Sequence, residues 1–408
     1  MTVTKFAGRR RFARALLGAV ATLAMAGILA GAGLYYVLVA RPEIGADGAD
    51  LLRRWVGQEQ VAQLETTIYG EKDQIDRGLA QAGMKQPEAP WQDAPTPQAA
   101  PTSAPSGPGA SAQKVQSAEV PTPAPPVEPV WQPSPVAQLG SLSGEGQWQP
   151  YLFDASGRAV AYRTFVAPDV ERRYVVAAIV AFDLHATKLN FVLGSDEPKS
   201  TAVVERSGRI PAADAQPGKL LSVFNGGFKA DHGQYGTMFN HVVVLPPIAG
   251  HMTVAALPGG AVRMGAWGRE GANDDALWWR QNGPPIIDQG RVNPLTSEMT
   301  AHNWGASISG TVTVWRSGLG LSQDGRILYY TAGDNLVVSS LARALFAAGA
   351  YNAMQLDVNN YWVYFGAVKP DGSKLINETL VEKMKGSDPR RYLNGFSRDF
   401  FYVTLKEQ

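Results

Sequence analysis

The rhythm of hydrophobic and polar positions changes in steps along this chain. Residues Ala15 to Ala40 carry no charge across 26 positions. At about 1.5 Å per residue, a helix of that length crosses a hydrocarbon core of about 30 Å with some tilt. Lys5, Arg9, Arg10, Arg11 and Arg14 precede the run, and Arg41, Glu43, Asp47 and Asp50 follow it. This asymmetry predicts 1–14 as a basic cytoplasmic N-terminus and 15–40 as a transmembrane helix or signal anchor. The rest then lies outside the cytoplasm, in the periplasm or beyond the cell. Arg9-Arg10-Arg11-Phe12 also resembles the core of a twin-arginine export signal, with Gly8 where such signals carry Ser or Thr. Either reading exports the remainder.

Between Ala46 and Gln86, Leu51, Leu52, Trp55, Leu64, Ile68, Ile75 and Leu79 fall partly at helical spacing with charges between them. The pattern predicts a juxtamembrane helix over 46–86. It covers too few heptads for a coiled coil, so a helix lying against the membrane or the domain is expected. Pro87 to Pro135 then holds 14 of the 28 prolines, with no apolar period. Such composition predicts a Pro/Ala-rich disordered linker over 87–143, able to hold a domain on the order of 100 Å from the membrane.

From Gly144 the period shortens to that of strands. Candidates are Tyr162–Phe165, Tyr174–Phe182, Leu189–Leu193, Lys219–Phe224, His241–Leu245, Pro285–Ile287, Thr311–Trp315, Ile327–Thr331 and Asp399–Leu405. The best helix is Leu336–Ala350, with Asn335 as cap and Gly349 near its end. Strands outnumber helices, which predicts one α+β domain over 144–408, with a mixed, mainly antiparallel sheet core and flanking helices.

Composition narrows the function classes. A net charge of +1 from 37 basic and 36 acidic residues gives no basic excess for a phosphate backbone, so nucleic acid is not an expected partner. The absence of cysteine removes disulfides, thiol nucleophiles and thiolate metal sites.

Three stretches carry candidate chemistry. Ser222-Val-Phe-Asn-Gly-Gly-Phe228 is a strand ending in Asn225-Gly226-Gly227, where two glycines permit a sharp turn and close approach to a ligand, although Asn-Gly is also the commonest short-turn signal. Thr313 to Leu328 reads as strand, Asp324-Gly325 hairpin, strand. It places Arg316 in an apolar run beside Ser317, Gly318 and Gly320, where its planar fork could reach an anion. Ala353-Met-Gln-Leu-Asp-Val-Asn-Asn-Tyr361 sets Asp357 at the carboxyl end of a strand that follows a helix, a place where ligand groups are often presented.

In this order the stretches resemble the phosphodiester glycosidase family over Tyr162 to the C-terminus. Asn225-Gly226-Gly227-Phe228, Gly283 to Gly290, Arg316 to Gly320, Gln323-Asp-Gly325 and Leu356-Asp357 carry the likeness. Where the family has a glycine run after its Leu-Asp, this chain has Val358, Asn359 and Asn360. Asparagine tolerates left-handed dihedrals, so the loop's path can be kept.

The resemblance implies a hydrolase of a glycosyl phosphodiester or a phosphate-bearing envelope glycan. Arg316 would neutralise phosphate and Asp357 would manage the proton or the developing sugar cation. Asn225, Gly226, Gly227, Asn359, Asn360 and Tyr361 would hold the sugar. His232 is a candidate acid, base or metal ligand, or a plain loop histidine. A divalent cation is conceivable because Asp231, Asp288, Asp334 and Asp357 lie near strand ends. The alternatives are a non-catalytic glycan-binding domain of the same descent, and an assembly module acting through the tether and helix.

Overall fold

The computed structural model describes residues 48, 54–91, 131–269, 275–298, 304, 312–371, 374–384 and 390–407. The predicted span at 15–40 and residues 92–130 of the predicted linker lie outside them. Among the described residues no helix is long and apolar enough to cross a membrane.

Helix α1 (Gln58–Gln81) comes first, followed by β1 (Gln149–Phe153), β2 (Ala159–Val166), β3 (Ala177–Asp183), β4 (Thr187–Val192) and β5 (Leu220–Asn225). Next are β6 (Thr237–Phe239), β7 (Val242–Leu245), β8 (Met252–Ala256), β9 (Val262–Ala266) and β10 (Trp278–Gln281). Two short strands, β11 (Ile287–Asp288) and β12 (Arg291–Val292), precede the long hairpin β13 (Val314–Leu321) and β14 (Ile327–Leu336). The chain ends with α2 (Val338–Ala348), β15 (Asn352–Val358), β16 (Phe365–Asp371), β17 (Lys374–Thr379), α3 (Arg391–Asn394) and β18 (Phe400–Leu405).

The strands form an eight-stranded sheet, β1-β2-β3-β14-β13-β15-β11-β12, and two five-stranded sheets, β7-β6-β10-β8-β9 and β17-β16-β5-β18-β4. The fold is sheet-dominated α+β with few helices. A mixed, mainly antiparallel core was expected, and the described ladders run antiparallel, among them β2 with β3, β13 with β15 and β5 with β18. The whole of β3 is buried, as suits a strand central in its sheet and read as a continuous apolar run. Phe182, Phe224, Phe365 and Phe401 fill the space between the first and third sheets, with the rings of Phe224 and Phe365 stacked at 6.0 Å.

Helix α2 covers the opposite face of the large sheet. A Cβ on Gly318 would stand 3.0 Å from Leu345, and one on Gly320 would stand 2.7 Å from the Ala350 Cβ. The glycines beside Arg316 therefore let a helix lie close to the sheet. The helix begins later than predicted: Val337 occupies the N-cap without a side-chain bond. Asn335, expected as the cap, is left-handed at φ 57° and accepts from Lys72. Gly349 closes the helix at φ 100°, its N–H reaching the Leu345 and Phe346 carbonyls.

Helix α1 lies on the domain. Arg172 binds both oxygens of Asp73 at 2.6 and 2.7 Å, and Arg77 meets Glu171 at 3.0 Å. Tyr69 packs with Val358 against Val312 and Val314. Beyond the helix, Lys85 sits 4.6 Å over the Tyr174 ring, and Trp91 lies edge-on to Phe165 at 5.6 Å. Residues 58–91 thus form a strap on the domain. Trp131, where description resumes, meets Tyr162 edge-on at 5.4 Å and accepts its hydroxyl at 2.8 Å. Both described ends of residues 92–130 therefore rest on β2.

Candidate active site

The ends of β5 and β15 meet where two sheets touch. The Asp357 N–H donates to the Gly226 carbonyl at 3.2 Å, and the Gly226 N–H donates to the Asp399 carbonyl at 3.2 Å. A Cβ on Gly226 would fall 2.5 Å from that Asp399 oxygen, and one on Gly227 would fall 2.7 Å from Asn282 Oδ1. Only glycine fits this junction, so the close approach expected of the pair is to other segments of the chain.

Asn225 fastens the same junction. Its Oδ1 accepts from the Tyr330 hydroxyl and the Tyr364 N–H, both at 3.1 Å. Its Nδ2 donates to the Gly226 carbonyl and Ser317 Oγ, both at 3.0 Å. These four bonds use the full capacity of the amide inside the protein. Ser317 Oγ in turn donates to the Asp357 carbonyl at 3.0 Å.

Asp357 is 6% exposed. Burial pushes its carboxyl up to about 6, although Arg398 pulls the other way. Arg398 Nη2 binds Oδ2, while Oδ1 accepts the Val358 N–H at 2.9 Å. Asp399 adds a second negative charge nearby, and Lys229 a further positive one. Arg398 also donates to the Gly227 carbonyl at 2.9 Å and lies 4.4 Å over the Trp362 ring. Lys229 stands 5.5 Å from the same ring. Behind them the fully buried Arg280 holds Asp399 Oδ2 at 2.7 Å and the Phe228 carbonyl at 2.7 Å. Asp399 Oδ1 has no hydrogen-bond partner among the described residues. The centre of the arrangement is two carboxylates and two guanidinium groups around a double-glycine turn.

The structure distributes the predicted residues unevenly. Asn225, Gly226, Gly227 and Asp357 converge. Arg316 is fully buried, and its guanidinium donates to the Leu336 carbonyl at 2.9 Å, Gln355 Oε1 at 2.8 Å and the Val312 carbonyl at 2.9 Å. Burial lowers its pKa to about 9. It ties β13 to its neighbours, and the cation that meets Asp357 is Arg398. Asn359 takes φ 81° and accepts the Tyr361 N–H at 3.0 Å, so asparagine does substitute for glycine in the left-handed region. Asn360 and Tyr361 are half-buried beside it, and Tyr361 lies edge-on to Trp362 at 4.6 Å. His232 ends the short turn at 230–232, its N–H donating to the Lys229 carbonyl at 3.0 Å.

Arg398, Asp399, Arg280 and Lys229 were not foreseen. The signal available was the one that singled out Arg316, a charge set inside or against an aromatic run, as in Trp278-Trp-Arg-Gln281 and Phe396-Ser-Arg-Asp-Phe400. No group of three or more His, Asp or Glu among the described residues could hold a metal ion. Asp288 meets Arg269 at 2.9 Å, Asp334 accepts the Asn335 N–H, and Asp231 is exposed.

No model of a known protein family matches the sequence, and no curated protein matches it. Among solved structures, the chain is similar to the zebrafish N-acetylglucosamine-1-phosphodiester alpha-N-acetylglucosaminidase catalytic domain, auto-inhibited by its pro-peptide. The match has 13% identity and a TM-score of 0.38, over 64% of this chain and 88% of that one. A hypothetical protein from Synechocystis gives 11% identity and a TM-score of 0.31, over 64% of this chain and 62% of its own. A putative exported protein from Burkholderia pseudomallei gives 11% and 0.26, over 57% and 74%. These are distant likenesses of fold, and family membership does not rest on them.

Proposed function

We propose that the protein is an exported, membrane-anchored hydrolase that cleaves a glycosyl phosphodiester or a related phosphate-bearing glycan of the cell envelope. The observation that carries this reading is Asp357: a carboxyl titrating near 6, clasped by Arg398 at the turn Asn225 to Phe228, with Lys229 and Trp362 alongside. The order of motifs in the sequence supports it.

A phosphate leaving group departs as an anion and needs charge neutralisation more than a proton. Arg398 and Lys229 supply that charge, in the role first expected of Arg316. Above pH 6 Asp357 is a carboxylate able to take a proton from water as the water oxygen bonds to the anomeric carbon. The bond from that carbon to the phosphate oxygen breaks, and the phosphate ester leaves. Trp362 and Tyr361 offer flat faces for a sugar ring. The apolar run at 15–40 is the proposed anchor.

One observation favours a second reading, a glycan-binding domain without catalysis: both Asp357 oxygens already have protein partners. Hydrolysis of α-linked sugar-1-phosphate diesters by wild type and Asp357→Asn separates the two. The enzyme requires turnover by wild type and a loss on the order of a hundredfold or more in the variant. Glycan binding without any turnover by wild type supports the second reading.

A further inference from the structure

A buried carboxylate outside the site touches both segments that carry its cations. Glu197 is 3% exposed, and its Oε2 accepts the Ala230 N–H at 2.9 Å and the Lys199 N–H at 3.1 Å. A carboxylate taken out of water needs such donors, and here one of them belongs to the residue that follows Lys229. The backbone of Glu197 runs along the segment that leads into Arg398. The Ser195 N–H donates to the Phe396 carbonyl at 3.0 Å, and the Asp196 and Glu197 N–H groups donate to the Ser397 carbonyl at 3.1 and 2.8 Å. Gly194 permits this close approach, since a Cβ there would fall 2.3 Å from the Ser397 carbonyl oxygen.

The clamp on Ala230 matters because of the residue before it. On the other side of Lys229, the Phe228 N–H donates to Asn282 Oδ1 at 2.9 Å and the Phe228 carbonyl accepts from Arg280 at 2.7 Å. Lys229 thus stands between two backbone units fastened by buried groups. Its own side chain is half-buried, with the ammonium 5.5 Å from the Trp362 ring and its charge felt at Asp357. A lysine ammonium rides on a flexible stem, so its aim depends on where the backbone beneath it is held.

We propose that Glu197 is a positioning residue: by holding the Ala230 N–H it sets where the Lys229 ammonium stands relative to Asp357 and to the phosphate of the substrate, in register with Arg398 through the bonds at Ser397. For the phosphate it rests on the hydrolase reading. Glu197 acts through the position of its oxygen rather than through its charge, because what Ala230 requires is an acceptor at that point.

The test follows the Val358 amide by NMR on the isotope-labelled full chain in detergent, because its N–H is bonded to Asp357 Oδ1 at 2.9 Å. The amide shift titrates with that carboxyl, with a midpoint at about 6 in wild type. Lys229 favours the carboxylate, so Lys229→Met moves the midpoint to higher pH. Glu197→Ala leaves Ala230 without its acceptor and moves the midpoint the same way, by about 0.3 pH unit or more, a twofold change in proton affinity. Loss of a negative charge would by itself move it down, so an upward shift reports position. Glu197→Gln keeps an oxygen for the Ala230 N–H and leaves the midpoint in place or slightly lower. Glu197→Asp keeps the charge and draws the oxygens back by one methylene. It gives an upward shift, and it is the variant to use should Glu197→Ala not fold. In the Lys229→Met background Glu197→Ala adds no further rise. A midpoint that rises in neither Glu197→Ala nor Glu197→Asp overturns the assignment, as does an equal rise in Glu197→Gln or a rise that persists without Lys229. On an α-linked sugar-1-phosphate diester, kcat falls about tenfold or more in Glu197→Ala and recovers in Glu197→Gln. The expected titrations, with no diester hydrolysed by wild type, remove the hydrolase and leave Glu197 as the residue that aims Lys229 at Asp357.

Discussion

Asp357 couples the proposed chemistry to pH in two measurable ways. As the base, it must be ionised, so kcat rises as pH increases through about 6 and levels above it. A profile that instead falls as pH rises through 6 would assign Asp357 as the acid. The second effect is on stability. The folded carboxyl titrates near 6 against an ordinary 3.8, so the native state binds this proton more tightly than the unfolded chain. Its contribution is fully present below 3.8 and is lost as pH rises through 6. At about 1.4 kcal/mol per pKa unit the loss is on the order of 3 kcal/mol. Denaturant unfolding at pH 4 and pH 7 measures it, and Asp357→Asn is expected to flatten the difference. Arg398→Leu removes the guanidinium that opposes the upward shift. The rising limb of the rate profile then moves to higher pH, while Arg316→Met is expected to lower stability and leave the limb in place.

The turns at the ends of β5 and β15 can be tested as elements. Asn359 sits at φ 81° with its side chain bonded two residues on. Asn359→Gly relieves the left-handed backbone of its Cβ, whereas Asn359→Ala keeps the Cβ, loses the bond to Tyr361 and is expected to cost about 1–2 kcal/mol. Gly226→Ala meets backbone rather than a movable side chain and is expected to cost about 1–3 kcal/mol. Thermal melts of the three variants rank them. How much of this was legible in the sequence depends on what each signal encodes. Val- and Phe-rich β3, β4, β5 and β18 stand out by period and propensity. Most of the second sheet does not, because β8 and β9 are short runs such as Met252-Thr-Val-Ala-Ala and Val262-Arg-Met-Gly-Ala, whose pairing is settled by tertiary packing. The Asn-Gly-Gly turn and Asp357 were legible as candidates because their residue types are unusual at strand ends, and the structure brings them together. Which arginine would meet the acid was not, since Arg316, Arg280 and Arg398 are all buried charges beside apolar strands, and only the register of three sheets separates them.

At the scale of the whole molecule, the strap changes what the N-terminal third is expected to do. A linker reaching on the order of 100 Å follows from proline content alone. Yet residues 58–91 already rest on the domain, and Trp91 and Trp131 both pack on β2. The reach between the apolar run and the folded body is therefore set by residues 41–57, at most about 60 Å when fully extended at about 3.5 Å each. The strap also comes close to the site, because Tyr69 and Val358, the neighbour of Asp357, both pack against Val312 and Val314. Deleting 46–135 would thus remove part of the folded body along with any tether, and turnover lost in that variant would not by itself indicate an assembly role. The contact to break is the two-point pair of Asp73 with Arg172, whose side chains are 14% and 8% exposed. Asp73→Ala leaves Arg172 largely buried with its strongest partner gone and is expected to cost about 2–4 kcal/mol. Arg172→Ala costs a similar amount, and the double variant costs less than the sum, since the residues touch. If the strap braces the Asp357 loop, hydrogen exchange at 356–364 rises in Asp73→Ala before global unfolding does. Exchange at those amides that changes only with the global transition would show that α1 merely adds stability and that the loop is held by the sheets alone.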